Sequence, residues 1–274
     1  MACNGVDTNV LDGYQYDGFV SGIPILTPDE TAIHRLHLEN AERVFGSSLH
    51  YVNKVHTALK SPLELATHPK LLDIVSSIIG PNVLVYNVTF IIKEPMTPTF
   101  VSWHQDLTYW GLEGGNQVSA WLALSPADEQ SGCMEMMPGS HQWGEQAQVT
   151  GDDPDNVLLQ SQTIKEVDES NAIACPLVPG QVSLHHGWTV HCSRPNRSND
   201  RRIGLNIQYI TPDMRQEKVD SDSALLVRGE DEFQFYRQDT PATDYELSAQ
   251  SAQRLRIATE EYQRIAGSLS LIHI

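Results

Sequence analysis

Residues 83–93 read VLVYNVTFIIK. This stretch has no Gly or Pro and is dense in β-branched and aromatic side chains, so it predicts one long strand. Downstream the same signal returns in shorter runs: Val118 to Leu124 (VSAWLAL), Cys133 to Met137 (CMEMM), Gln181 to His185, and Ile203 to Ile210 (IGLNIQYI). Turn pairs such as Pro138-Gly139 and Pro179-Gly180 punctuate them. Short strands joined by Gly/Pro turns predict an antiparallel sandwich or barrel. Gly151 to Glu169 is polar, acidic and too long for a tight turn, so it reads as an insertion or lid.

Upstream of residue 83 the pattern is helical. Thr27-Pro28-Asp29-Glu30 supplies a capping Thr, a Pro at the first helical position and a Glu three residues after the cap. Ile33, Leu36, Leu38, Ala41 and Val44 follow at roughly helical spacing, and Gly46 ends the run. Ser61-Pro62-Leu63-Glu64 repeats the start signal, and a further helix covers Pro69 to Ile79, closed by Gly80-Pro81. Tyr245 to Ala266 has helical composition. With no internal repeat and no Gly/Ser linker, the chain reads as one domain over 1–274. Its parts are a helical third (14–80), a β core (82–212) and a C-terminal helix (244–266). The tail SLSLIHI (268–274) finds no partner in this plan and reads as foreign to the fold, so His273 is set aside.

Composition excludes several classes. The chain has 274 residues, with Lys+Arg 18 against Asp+Glu 35, a net charge of −17. That balance is opposite to the one that binds nucleic acid. No apolar run reaches the roughly 18 residues that a membrane span needs. The opening MACNGVDTNV lacks a basic-then-apolar leader, so no secretory signal is read there and a cytoplasmic location is expected. Cys3, Cys133, Cys175 and Cys192 are irregularly spaced with no CxxC pair, against a structural zinc site or a disulfide framework. The Asn-x-Ser/Thr strings at Asn87 and Asn196 read as chance.

The chemistry is carried by a few of the eleven histidines. His34, His37, His50, His56 and His68 lie in the helical third and read as structural, as does His141 in its turn. His104-Gln105-Asp106 differs: on an extended segment, residues i and i+2 point the same way and reach one metal ion. His191 lies beyond several strands, where a barrel brings strand ends together; His185 and His186 compete with it. Two His and one carboxylate on one face of an octahedron leave three positions open, as non-haem Fe(II) oxygenases require. A bidentate 2-oxo acid takes two positions and O₂ the third. The second carboxylate of 2-oxoglutarate needs a cation, and Arg202, eleven residues after His191, can grip it bidentately. Ser193 adds a hydroxyl, whereas Arg194, Arg197 and Arg201 read as solvated loop charges. Trp103, Tyr109, Trp110 and Trp188 flank the ligands, as pocket lining or as barrel core.

Three blocks resemble one family as a set: WHQDLTYWGL (Trp103 to Leu112), WLALSPADEQSGCMEMMPGSH (Trp121 to His141) and HHGWTVHCSRPNRSNDRRIGLNIQYI (His185 to Ile210). With the early string YDGFV (Tyr16 to Val20) they resemble the phytanoyl-CoA dioxygenase family over roughly residues 14 to 265. The resemblance implies a mainly β fold with flanking helices around a double-stranded β-helix (jelly-roll, cupin-like) core. It implies Fe(II), 2-oxoglutarate as co-substrate and O₂, with ascorbate supportive, and hydroxylation of an aliphatic C–H bond with release of succinate and CO₂. The metal ligands carry over onto His104, Asp106 and His191. The 2-oxoglutarate contacts carry over onto Arg202 and Ser193, and also onto Lys93 and Trp121. Of the competing histidines, His191 alone has the following Ser and the Arg at the family's distance. The expected partner is a small-molecule substrate, with no nucleic acid and no membrane; a bulky, anionic coenzyme A thioester suits a −17 chain poorly. A cupin-like metal enzyme that does not use 2-oxoglutarate, or a non-catalytic jelly-roll binding protein, are the rival readings.

Overall fold

The structure, a computed structural model, describes residues 8–158 and 161–267. The tail 268–274 and Cys3 lie outside the described residues. Eleven strands carry the architecture: β1 (Phe19–Pro24), β2 (Val83–Lys93), β3 (Val101–His104), β4 (Gln117–Ala123), β5 (Met134–Met136), β6 (Ile173–Cys175), β7 (Gln181–His185), β8 (His191–Ser193), β9 (Arg202–Ile210), β10 (Ser223–Arg228) and β11 (Arg237–Gln238). They form a large sheet in the order β1-β7-β4-β9-β2-β10-β11 and a small one in the order β3-β8-β5-β6. Pairing is antiparallel except between β10 and β11. Residues of both sheets line one cavity, as a jelly roll requires. The expected mainly β fold is therefore present, although β10 and β11 extend the large sheet beyond the expected boundary at 212.

Period-two alternation decides which side of the large sheet is wet. Ile203, Leu205, Ile207 and Tyr209 of β9 pack into a buried apolar cluster with Val85, Val88, Phe90 and Ile92 of β2 and Val118, Ala120 and Leu122 of β4. Helices α1 (Thr8–Asp17), α2 (Pro28–Phe45), α3 (Lys60–Ala66) and α4 (Pro69–Ile79) bring Tyr14, Leu38, Leu65, Leu71 and Val75 to the same cluster. The residues of opposite parity, Arg202, Asn206 and Gln208, line the cavity. One side of the sheet is thus apolar and helix-covered, and the other carries the polar groups.

Helix α2 begins as its sequence dictates. Thr27 Oγ1 accepts the Glu30 N–H, and Glu30 Oε2 accepts the Thr27 N–H at 2.8 Å. Gly46 closes the helix in the left-handed region at φ 83°. The second start signal reads differently in the structure. Ser61 is not a cap; it lies inside α3, whose preceding residue is Leu59, and its hydroxyl pairs with His34 Nδ1 at 2.8 Å. Here a tertiary contact overrides a local signal. Helix α1 has no counterpart in the sequence reading, because TNVLDGYQYD carries a Gly and no sustained apolar period.

His50 joins the loop after α2 to β2: its Nδ1 accepts the Ile92 N–H at 2.9 Å. Burial, and then the charge of Arg202, lower its pKa to about 4. The unfolded chain protonates this ring near pH 6.5, so between about pH 6.5 and 4 the unfolded state binds more protons. Stability is therefore full above that window and falls as pH drops through it, by up to roughly 3 kcal/mol. Urea unfolding at pH 7 and pH 4.5 measures this, and His50→Gln should flatten the dependence.

Candidate active site

His104 ends β3 and His191 begins β8, and the two residues face each other across neighbouring antiparallel strands. Each ring is aimed by its own strand: His104 Nδ1 donates to the Ser102 carbonyl and His191 Nδ1 to the Thr189 carbonyl, both at 2.9 Å. A carbonyl only accepts, so Nδ1 carries the proton and Nε2 keeps its lone pair. Burial also holds the His191 pKa well below the usual histidine value.

Asp106 reaches the same point by a route the sequence reading did not foresee. The strand stops at His104, and Asp106 sits in helical conformation (φ −64°, ψ −46°) at the head of α5 (Leu107–Trp110). Gln105 between them turns away and pins two loops, donating to the Gly144 carbonyl at 2.9 Å and the Trp188 carbonyl at 2.8 Å. Asp106 Oδ1 lies 3.5 Å from His104 Nε2 and 3.9 Å from His191 Nε2. One ligand atom from each of the three residues falls within 4.8 Å of the others, a spacing that suits a single ion. The second carboxylate oxygen is held from behind: Ser119 Oγ donates to Oδ2 at 3.1 Å, and His185 Nε2 lies 3.3 Å from it. Burial alone would raise the Asp106 pKa, but the adjacent imidazoles of His104, His185 and His191 keep it well below the usual carboxylate range. Two imidazole lone pairs and one permanent carboxylate are the donor set of an open Fe(II) site, so the residues fit that metal.

The large sheet presents Arg202, whose relative exposure is 1%. Its Nη1 donates to the Gly132 carbonyl at 2.9 Å, and its guanidinium lies 5.0 Å from the Trp121 ring centroid. Trp121 crosses Gly204 so closely that a Cβ there would stand 1.9 Å from the indole. Arg202 Nε is buried with no hydrogen-bond partner among the described residues. Burial lowers its pKa only to about 10, so the guanidinium is charged at neutral pH. A buried cation without a counter-ion is costly and calls for an anion. The distal carboxylate of a 2-oxo acid fits this requirement.

The cavity encloses about 340 Å³. His104, Asp106, His191, Arg202, Ser193 and Trp121 all line it. Lys93 is paired in register with Arg202, yet it does not line the cavity. Its Nζ donates instead to Ser193 Oγ at 2.7 Å and to the Ser193 carbonyl at 3.0 Å, tying β2 to β8. Tyr109 and Trp110 face the cavity, whereas Trp103 and Trp188 pack in apolar clusters. The acidic segment 151–169 contributes Val157, Leu158 and Gln162 to the wall, and α6 (Ala249–Gly267) contributes Tyr262 and Gln263. Sequence reasoning weighed His185 only as a rival metal ligand, not as the support behind Asp106, and it missed Ser119 there and Asn206 and Gln208 in the wall. The alternation of polar 206 and 208 with apolar 205, 207 and 209 was the available signal for the last two.

The chain is 27% identical over 175 residues to peroxisomal phytanoyl-CoA dioxygenase of Bos taurus, covering 59% of this chain and 52% of that one. It is 26% identical over 148 residues to ectoine dioxygenase of Streptomyces anulatus, covering 48% and 50%. It spans little more than half the length of the curated relatives it matches. Among solved structures, the non-heme monooxygenase ThoJ in its apo form superposes with a TM-score of 0.83 at 26% identity, over 95% of this chain and 98% of that one. The family model for phytanoyl-CoA dioxygenase matches residues 29–204. That stretch takes in the His-Asp-His cluster and ends two residues beyond the buried arginine, and by it the chain belongs to the phytanoyl-CoA dioxygenase family.

Proposed function

We propose that the chain is an Fe(II)- and 2-oxoglutarate-dependent oxygenase, one catalytic unit that hydroxylates an aliphatic C–H bond of a small molecule. The observation that carries this reading is the pairing, in one cavity, of the His104–Asp106–His191 cluster with a buried arginine whose Nε has no partner among the described residues. Iron alone explains the first element; 2-oxoglutarate explains both. When bound, iron would let O₂ oxidise 2-oxoglutarate and an unactivated C–H bond together: one oxygen atom would enter succinate as CO₂ is lost, and the other would enter the hydroxylated product.

The chain's own residues do the positioning. His104 and His191 present Nε2 because the Ser102 and Thr189 carbonyls hold the opposite nitrogens. Asp106 presents Oδ1 because Ser119 and His185 occupy Oδ2. Arg202 takes the distal carboxylate of 2-oxoglutarate, with Trp121 against its face and Ser193 alongside. Val157, Leu158 and Tyr262 stand in the cavity wall, where apolar surface keeps the local dielectric low and strengthens the charge interactions inside. The ectoine dioxygenase relative is named for a small molecule, which supports a small-molecule substrate here.

Incubation with Fe(II), ascorbate and 2-oxoglutarate should release succinate slowly, and a small-molecule substrate should stimulate it. Iron binding with no 2-oxoglutarate turnover or binding would favour a cupin-like enzyme of another kind. Failure to bind iron would favour a non-catalytic module.

A further inference from the structure

Beyond the His-Asp-His cluster the cavity continues along β9. Arg202, Gly204, Asn206 and Gln208 share its inner face and span about 20 Å at the usual rise per strand residue. Across the sheet Asn206 pairs with Trp121 and Thr89, and Gln208 pairs with Ser119 and Asn87. Ser119 bonds the Asp106 carboxylate, so Gln208 stands one strand, about 5 Å, from the support of the metal cluster.

We propose that this end, walled by Asn53, Asn87, Thr89, Asn206 and Gln208, is the primary-substrate subsite. It selects an uncharged molecule bearing hydroxyl or amide groups and rejects carboxylates, phosphates and acyl-CoA thioesters. The proposal rests on the oxygenase reading of the same cavity.

Three observations support it. First, part of the wall is prebuilt and saturated. Asn87 Nδ2 donates to Asn53 Oδ1 at 2.8 Å, Thr89 Oγ1 donates to the same oxygen at 3.2 Å, and Asn87 Oδ1 accepts the Lys54 N–H at 2.9 Å. The loop that delivers Asn53 is bracketed by Tyr51 and Lys54, both left-handed at φ 55° and 59°. Non-glycine residues adopt that conformation at a cost, often where a site must be shaped. Second, the facing amides each keep an unpaired oxygen: among the described residues Asn206 Oδ1 and Gln208 Oε1 are buried without a hydrogen-bond partner, although the Gln208 side chain also meets the Tyr262 phenol. Such atoms carry a desolvation penalty that a complementary hydroxyl or N–H relieves. Third, among the described residues the lining carries one permanent cation, Arg202, which the oxygenase reading assigns to 2-oxoglutarate. The phenols of Tyr51, Tyr109 and Tyr262 stay neutral, their pKa values raised first by burial and further by the charge of Asp106. An anionic substrate would meet neutral dipoles and a chain of net charge −17.

Four probes on one eight-carbon skeleton test this: 1,2-octanediol, octanamide, octanoate and octanoyl-CoA. Binding is read by quenching of tryptophan fluorescence, since Trp110 and Trp121 line the cavity, with Fe(II) and 2-oxoglutarate present and oxygen excluded. The diol and octanamide should bind saturably, at least about a hundredfold more tightly than octanoate or octanoyl-CoA. Asn206→Leu and Gln208→Leu should each weaken both neutral probes about tenfold and leave octanoate unchanged. Melting midpoints check that these variants fold, and the probe series on the unmodified protein decides without them. Octanoate or octanoyl-CoA binding as tightly as octanamide would overturn the proposal. So would the absence of saturable quenching by both neutral probes, or folded Leu variants with unaltered affinity. The oxygenase reading is judged separately: no succinate release from unmodified protein in air, with octanamide bound, would sink that reading and leave the subsite standing.

Discussion

Asp106→Ala should fold, lose bound iron on dialysis and release no succinate above background. His104→Ala and His191→Ala should do the same. The cluster is a set of three single donor atoms, and removing one leaves two imidazoles, or one imidazole and one carboxylate, for an ion that water also solvates well. Folding should survive because each ring is held by one backbone carbonyl, and only Ser119 and His185 lose a partner when Asp106 goes. Circular dichroism with metal analysis separates loss of metal from loss of fold. Ser119→Ala and His185→Gln should act more mildly, costing roughly 10- to 100-fold in iron affinity or rate, as is usual for groups that orient a ligand. Full iron content and activity in His191→Ala would reject the assignment. His185 would not be an easy substitute, since its Nε2 lies against the outer carboxylate oxygen of Asp106, 3.3 Å away.

How far the sequence revealed this site varies with how local each determinant is. The capping box at Thr27 and the helix at Pro69–Ile79 depend on neighbours in sequence and were readable in detail. The strand Val83–Lys93 was readable because its composition admits nothing else. His104 and Asp106 were readable as a pair, but not for the backbone reason first supplied: the chain leaves the strand after His104, and a short helix delivers the carboxylate. Lys93 shows the limit. Its place beside Arg202 follows from β2–β9 register, and where its Nζ goes follows from β8, a hundred residues away. Both depend on non-local pairing that no local pattern encodes. Asn206 and Gln208 lay between these cases. Their parity was visible in IGLNIQYI, but which parity faced the cavity depended on the helices that cover the opposite side.

Arg202→Met should show two effects of opposite sign. In the parent, without 2-oxoglutarate, the guanidinium is buried and charged, with one hydrogen bond to Gly132 and a tryptophan face as its described partners. Replacing a poorly compensated buried charge by an apolar side chain of similar length is often neutral or stabilising, by up to about 4 kcal/mol. Losing the Gly132 bond offsets about 1–3 kcal/mol of that. The variant should therefore melt at or above the parent when both lack 2-oxoglutarate. Adding the co-substrate reverses the order. The parent gains about 2.7 kcal/mol at a hundredfold excess over its dissociation constant. The variant gains little, because losing one partner of a buried charge pair costs about 2–5 kcal/mol, roughly 30- to several-thousand-fold in affinity. Arg202→Lys should also bind poorly, since an ammonium cannot form the two parallel bonds of a guanidinium with a carboxylate. Thermal melts with and without iron and 2-oxoglutarate read both effects. A variant that kept the parent's 2-oxoglutarate-dependent stabilisation would show that the carboxylate is held elsewhere. A variant that melted far below the parent without co-substrate would show that Arg202 serves the fold first. The crossing of the two orders is what separates a binding cation from a structural one: a structural arginine stabilises in both conditions, whereas one kept for its ligand costs stability until the ligand arrives.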